Sequence, residues 1–421
     1  MATFAFIMSH HSHQNATFNL VKILAKDNHR IIFSGPRFGI DGHDLQSSVI
    51  KQGFEFEEIK LYNNPDDKNA FNSYAYSLAT GIPFKKFTER HKPDVVFLDI
   101  HYSIFAIPFW ELVKKIVLVS TELSTSENHQ NLPLTIDRFP AFRNPKENLK
   151  AWKKYYRTNS GRSNIIAFAS KVAEHHNHFP FSKLIDANRC VIPFSFKLPE
   201  IILWPKGFDT LKGNNSQGVY LGGHVDISRA ETVPEELNKI PLDKKLIYVA
   251  LGTRTEINST MKQHLLNMLI DVLSKMPNIY AIITGAEKAV SSHNITILQN
   301  APQLTILKRC DLMITHAGGN SVKECIYFKV PMLCIPSDND QFGIAARVEH
   351  FKIGLKLSNN TGARNQIKTK IKKLLTNPLF KQNLAKQKRI FFNSKHQIHS
   401  RKIIIKILSN NSNNIALDKF L

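Results

Sequence analysis

Cysteine is scarce. The four residues, Cys190, Cys310, Cys325 and Cys334, are scattered through 421 positions with no metal-binding pair spacing. That excludes a disulfide framework or a cysteine-based metal module, and predicts reduced, buried thiols in a cytosolic protein. No apolar run approaches the roughly 18 residues of a membrane-spanning helix. Met1 to Ser9 lacks the basic start and small-residue cleavage site of a secretory leader and reads as a first β-strand. Acidic residues are outnumbered, 34 against 56 Lys and Arg, for a formal net charge of +22. The basic residues are dispersed, which favours an ordinary solvated surface over a nucleic-acid one and keeps weak association with an anionic membrane as the alternative. No strand ends in G-x-G-x-x-G with an acidic residue some way beyond, so a nicotinamide oxidoreductase is disfavoured. Glu174, His175, His176 and His178 lie together, but without an i, i+4 histidine pair they read as solvated surface.

What the chain does have is alternation. Its length suits two domains. Thr3 to Met8 is strand-like, Asn15 to Lys26 has helical spacing, and Arg30 to Phe33 is strand-like again. Asp44 to Gln52 reads as a helix, and Val95 to Leu98 and Ile116 to Val119 are short apolar strands around an aromatic helix, Ile104 to Leu112. From Ser120 to Phe194 the pattern loosens, with a basic aromatic helix from Pro145 to Arg157. A second array follows: strands at Leu246 to Leu251, Ile279 to Ile283 and Ile295 to Leu298, with Met261, Leu265, Met268, Leu269 and Val272 on one helix face. Such β-α alternation predicts an α/β protein with doubly wound parallel sheets. The Gly- and Asn-rich Lys212 to Gly218 marks the junction. The expected organisation is an N-terminal domain over residues 1–210, a linker with the first residues of the second domain over 211–240, a C-terminal domain over 241–400, and a helical tail over 401–421 that packs back on the N-terminal domain.

The densest chemistry lies between Leu304 and His350. A strand, Leu312 to Thr315, ends in His316 and the pair Gly318-Gly319, and a helix is predicted from Asn320 and Ser321 to about Lys329. The glycines admit a ligand close to the backbone, and a helix N-terminus attracts an anion such as a diphosphate. The pattern repeats with a strand at Val330 to Ile335, a polar loop at Pro336 to Asp340 and a helix at Gln341 to His350. In open α/β sheets ligands lie beyond the carboxyl ends of the strands, so His316, Asn320, Ser321, Glu324, Asp340 and Gln341 are expected to converge. Capped helices after buried strands would give the same local pattern without a ligand. In the N-terminal half, His13 follows the first strand and Asp99 ends the strand Val95 to Leu98. An imidazole oriented by a carboxylate is a competent general base for a hydroxyl. His11 is the alternative if the loop register shifts.

Ala301-Pro302-Gln303, His316, Gly318, Asn320-Ser321, Glu324, Val330-Pro331, Pro336 and Asp340-Gln341 together resemble the donor-binding box of the UDP-glycosyltransferase superfamily. The resemblance is dense from Ala301 to Val348 and thin elsewhere. It implies the GT-B arrangement, two facing Rossmann-like domains with the active site in the cleft between them. It also implies roles: His316 on a diphosphate oxygen, Asn320 and Ser321 on the diphosphate, Glu324 on the ribose, Asp340 and Gln341 on sugar hydroxyls. Ala301, Gln303, Gly318, Gly319 and, in the Gly252-Thr253 turn, Thr253 join the donor site on the same ground. His13 would be the base and Asp99 its support. Asn300 stands where the family carries an aromatic before A-P-Q, and Ser12 and Ala16 replace the Gly and Pro of its histidine loop.

The function implied is inverting transfer of a hexose, glucose-like, from a UDP- or dTDP-sugar to a hydroxyl of a small lipophilic acceptor. A lipid or cell-envelope glycosyltransferase and a non-catalytic helper of the same fold are the alternatives. No cofactor is implied beyond the nucleotide sugar. Asp338 and Asp340 form a D-x-D, which elsewhere binds a metal, but inside the D-Q motif Asp340 is expected on sugar hydroxyls and no metal is expected.

Overall fold

Residues along the first strand, β1 (Thr3–Ile7), point alternately to two faces, and both are apolar. Ala5 and Ile7 enter one core with Ile32, Val96, Leu98 and Leu118, while Phe4 and Phe6 enter the other with Phe18, Phe33, Phe97 and Val117. A strand buried on both sides must lie inside a covered sheet, which is why these segments read as unbroken apolar runs. The computed structural model describes residues 1–61, 70–123, 127, 131–159, 161–209, 218–252, 259–286, 292–357 and 363–409. Thr253 lies outside them.

The chain forms two compact units. One comprises Met1–Pro133, Ala141–Asp226 and Asn393–Leu421, the other Leu134–Pro140 and Ile227–Phe392. The strands of the first are β1, β2 (Arg30–Gly35), β3 (Glu55–Glu58), β4 (Val95–Asp99), β5 (Ile116–Ser120), a small ribbon of β6 (Ile185–Asp186) and β7 (Ser195–Phe196), then β8 (Glu200–Ile202) and β9 (Gly218–Tyr220). The main sheet is seven-stranded in the order β3-β2-β1-β4-β5-β8-β9, all neighbours parallel. The second unit holds β10 (Lys245–Ala250), β11 (Ile279–Thr284), β12 (Ile295–Leu298), β13 (Leu312–Thr315), β14 (Met332–Cys334) and β15 (Gly354–Lys356) in the order β12-β11-β10-β13-β14-β15, again parallel. The order reverses once in each sheet, between β1 and β4 and between β10 and β13. Those reversals open crevices at the strands' carboxyl ends.

Several boundaries differ from expectation for physical reasons. The first unit runs to Asp226, past the expected 210, because β9 pairs with β8 as the sheet's edge. The return to this unit begins at Asn393, before 401: helix Ser394–Ser409 drives Ile403, Ile404 and Ile407 into the core around Phe4, Phe6 and Val21. The first helix is His11–Lys26 instead of starting at Asn15, so His13 sits in its first turn and not in a loop. The aromatic segment after β4 is a 3₁₀ turn, Ile100–Phe105, running into the short helix Ala106–Phe109. Residues 134–140, expected in the irregular part of the first domain, belong to the second unit. There the Gly343 N–H donates to Leu134 O at 2.8 Å, and a Cβ at position 343 would meet that same oxygen at 2.8 Å, so the approach requires glycine. The Arg347 guanidinium lies 4.4 Å from the centroid of the Phe139 ring beside it.

Candidate active site

At the first reversal, the ends of β1 and β4 bring a histidine onto a carboxylate. His13 Nδ1 lies 2.8 Å from Asp99 Oδ2. His11 does not take that place: its Nε2 lies 3.0 Å from Asn15 Nδ2 and its ring stacks on His43. Asp99 is fully buried and well satisfied, since Ser9 donates to Oδ2 from its N–H at 3.1 Å and its hydroxyl at 2.8 Å, and the His101 N–H donates to Oδ1 at 2.9 Å. Burial alone would push its pKa up. The charge and hydrogen bond of His13, with His101, outweigh this and hold the carboxyl well below the usual range. Asp99 is therefore an anion at neutral pH, and an anion that accepts Nδ1–H leaves the lone pair on Nε2.

Two groups missed in the sequence complete this end. His101 lies two residues beyond Asp99, and Glu122 two beyond the end of β5. His101 Nε2 is 3.1 Å from Glu122 Oε1, and His13 Nε2 is 3.8 Å from the same oxygen. The rings of His10, His13 and His101 are packed with centroids 4.7–5.1 Å apart. Burial, then repulsion from His13 and His101, lowers His10 to about 3, so it is neutral at pH 7. Both missed groups stand at strand carboxyl ends, the rule that found His13 and Asp99.

In the second unit the reversal lies between β10 and β13. His316 follows β13 and its ring sits against Gly252, just past β10: a Cβ at 252 would come within 3.0 Å of the ring, and one at 318 within 2.5 Å of Nε2. Glycine at both positions makes room for the imidazole, and Gly252 also holds φ +86. Lys262, not singled out from the sequence, donates from Nζ to Gly252 O at 2.8 Å. Burial, with the Lys262 charge adding to it, lowers His316 to about 4. The helix after it is Gly319–Phe328 with Gly318 as N-cap, so Asn320 and Ser321 fall in its first turn. N–H groups of a first turn have no acceptor within the helix.

Glu324, one turn further, is buried and accepts from Arg229 Nη1 at 2.9 Å on one oxygen and from Gln303 Nε2 on the other. Gln303 Nε2 also lies 3.3 Å from Ser321 Oγ. Burial works against the Arg229 charge, but Glu324 and Glu231 more than compensate and raise its pKa. Glu231 also accepts from the Leu304 and Thr305 N–H groups, each at 2.9 Å, anchoring the short helix Gln303–Leu307. Ala301 stands just before that helix. The loop carrying the D-Q pair is closed by its own glutamine: Gln341 Oε1 accepts from the Ser337 and Asp338 N–H groups at 3.0 and 3.2 Å. Asp340 is the N-cap position of helix Gln341–His350 without a side-chain cap bond, and Asp338 accepts from Asn339.

These ionisations give a pH test. His316 has a folded pKa below its unfolded one, so between about 6.5 and 4 the unfolded chain binds the extra proton and stability falls as pH falls. Melting temperature is expected to drop across that window. A His316→Asn variant should show a shallower slope; parallel curves for variant and parent would exclude His316 as a source of the slope.

Two doubly wound α/β units, each with polar groups gathered at its sheet's reversal, define the GT-B fold of nucleotide-sugar glycosyltransferases. The spinosyn forosaminyltransferase SpnP superposes with a TM-score of 0.70 over 97% of this chain and 100% of its own, at 14% identity, which supports the fold alone. Residues 223–395 match the family model of UDP-glucoronosyl and UDP-glucosyl transferases. The uncharacterized UDP-glucosyltransferase YdhE of Bacillus subtilis is 31% identical over 150 residues, 34% of this chain and 37% of its own. The UDP-glycosyltransferase UGT4 of Dactylopius coccus is 35% identical over 175 residues, 40% of this chain and 34% of its own. These matches thus span about a third of each relative. Among the described residues, no helix is long and apolar enough to cross a membrane.

Proposed function

We propose that this chain is an inverting glycosyltransferase that moves a hexose from a UDP- or dTDP-sugar to the hydroxyl of a small, lipophilic acceptor. The observation that carries the reading is the His13–Asp99 pair, 2.8 Å between Nδ1 and Oδ2 at a sheet reversal. In the proposed step His13 Nε2 takes the acceptor proton as the acceptor oxygen bonds to the anomeric carbon. The bond from that carbon to the diphosphate oxygen breaks, and the nucleoside diphosphate leaves with the electron pair. Asp99 stabilises the imidazolium that forms. In the second unit the first turn of helix Gly319–Phe328, with Asn320 and Ser321, receives the leaving-group charge. His316, neutral at pH 7, contributes a hydrogen bond and not a charge, and Lys262 is the cation beside it. Glu324 takes the ribose hydroxyls: its two oxygens offer about four lone-pair sites, of which Arg229 and Gln303 use two. Asp340 and the amide N–H groups of Gln341 take the sugar hydroxyls. Thr253 is included in the donor site on the family resemblance. Similarity to relatives named for UDP-glucosyl transfer supports the donor class.

A panel of UDP- and dTDP-sugars is expected to raise the melting temperature with at least one member, since a ligand that binds only the native state stabilises it. With that donor and a panel of hydroxyl acceptors, turnover should survive excess EDTA. No shift with any donor would reject the donor site, and activity lost on chelation and restored by magnesium would move Asp338 and Asp340 into a metal site.

A further inference from the structure

The cluster at the end of β4 has a second capability. His13 Nε2, His101 Nε2 and a Glu122 oxygen lie within 4.8 Å of one another. Two of the separations are 3.1 and 3.8 Å, bracketing the roughly 3.3 Å between neighbouring ligands around a tetrahedral zinc with bonds of about 2.0 Å. Glu122 Oε2 is buried and has no hydrogen-bond partner among the described residues. The His13 ring is fixed from behind, its Nδ1 on Asp99, the carboxylate–histidine support that metal-bound imidazoles use. All three ligand side chains keep 12–19% of their surface exposed.

We propose that His13, His101 and Glu122 form a binding site for a zinc-type divalent cation, two imidazoles and one carboxylate with a fourth position open to water. Such a ligand set suits zinc and neighbouring transition metals better than magnesium. Because the cation takes His13 Nε2, the nitrogen that accepts the acceptor's proton, occupancy and general-base action exclude each other. The site is inhibitory. The inhibition rests on the transfer reading, whereas the binding does not.

Zinc titration of the full chain by calorimetry, with cobalt as a spectroscopic probe, separates the two. One equivalent of Zn2+ should bind, with the strong visible absorption of four-coordinate Co2+ on substitution. His101→Ala and Glu122→Gln should each weaken binding at least tenfold. His178→Ala, a surface control, should leave it unchanged. Zinc should inhibit wild-type transfer at concentrations that track its binding, EDTA should reverse this, and the inhibition constant of His101→Ala, measured against its own metal-free rate, should rise by a similar factor. Binding no tighter in the wild type than in His101→Ala, or binding lost in His178→Ala, would overturn the site while leaving the glycosyltransferase reading intact. Zinc bound without inhibition, or zinc required for turnover, would overturn the competition with the base. Should both ligand variants fail to fold by circular dichroism, wild-type protein loaded with Co2+ but lacking the four-coordinate spectrum would overturn the proposal by itself.

Discussion

His13→Ala is expected to cut turnover by about 10²- to 10⁴-fold, the usual contribution of a positioned general base, while leaving nucleotide-sugar affinity unchanged. The affinity should hold because His13 belongs to the first unit, and the groups proposed to hold the donor all belong to the second. Steady-state kinetics with a donor titration by calorimetry separates the two quantities. His11→Ala is the matched control, since its imidazole meets Asn15 and His43 and not Asp99. Near-wild-type turnover in His13→Ala would reject the base. A dead His11→Ala beside an active His13→Ala would return the function to the alternative register.

Glu324→Ala is expected to weaken donor binding by about 1.5 to 3 kcal/mol, the range for hydrogen bonds to a charged group. It should also lower stability. Arg229 is mostly buried and would keep only Glu231, at 3.4 Å, and breaking a buried pair costs about 3–5 kcal/mol. The remaining partner and the partial exposure of Arg229 put the expected loss toward the low end. The two effects can be separated. Arg229→Met disturbs the same pair but keeps the carboxylate, so it should lose stability with a smaller loss of donor affinity. Titrations are run well below each variant's melting temperature. Unchanged affinity in folded Glu324→Ala would remove this residue from the donor site.

The strands were legible because parallel strands buried on both faces cannot hide: Val95 to Leu98 and Leu312 to Thr315 are unbroken apolar runs, and both lie where they were expected. The glycines and polar residues after β13 were legible for a related reason, as loop chemistry at a strand's carboxyl end. The start of the first helix was not. Ser9 to His13 offers no Ser, Thr, Asp or Asn cap in the right place, and His10 serves as N-cap without a side-chain bond. That β9 pairs with β8, and so closes the first unit's sheet, was not legible either, because local pattern does not encode strand pairing. Arg229 carried no signal of its role, because its partner Glu324 is 95 positions away and only the fold brings them together. His101 and Glu122 obey the strand-end rule as well as His13 does. That they meet, however, depends on β4 lying between β1 and β5, and periodicity does not encode that order.

Helix Ser394–Ser409 bears on how the chain reaches its fold during synthesis. Ile403, Ile404 and Ile407 complete an apolar core whose other walls, β1 and helix His11–Lys26, are made first. A ribosome adding about 5–20 residues per second needs roughly 10 to 40 s to travel from Asp226 to the end of that helix. During that interval the second unit's segment, Ile227–Phe392, is synthesised, while the first unit's core lacks those three isoleucines. The half made first is finished last, and a chain stopped short of Ile403 lacks the residues that complete that core.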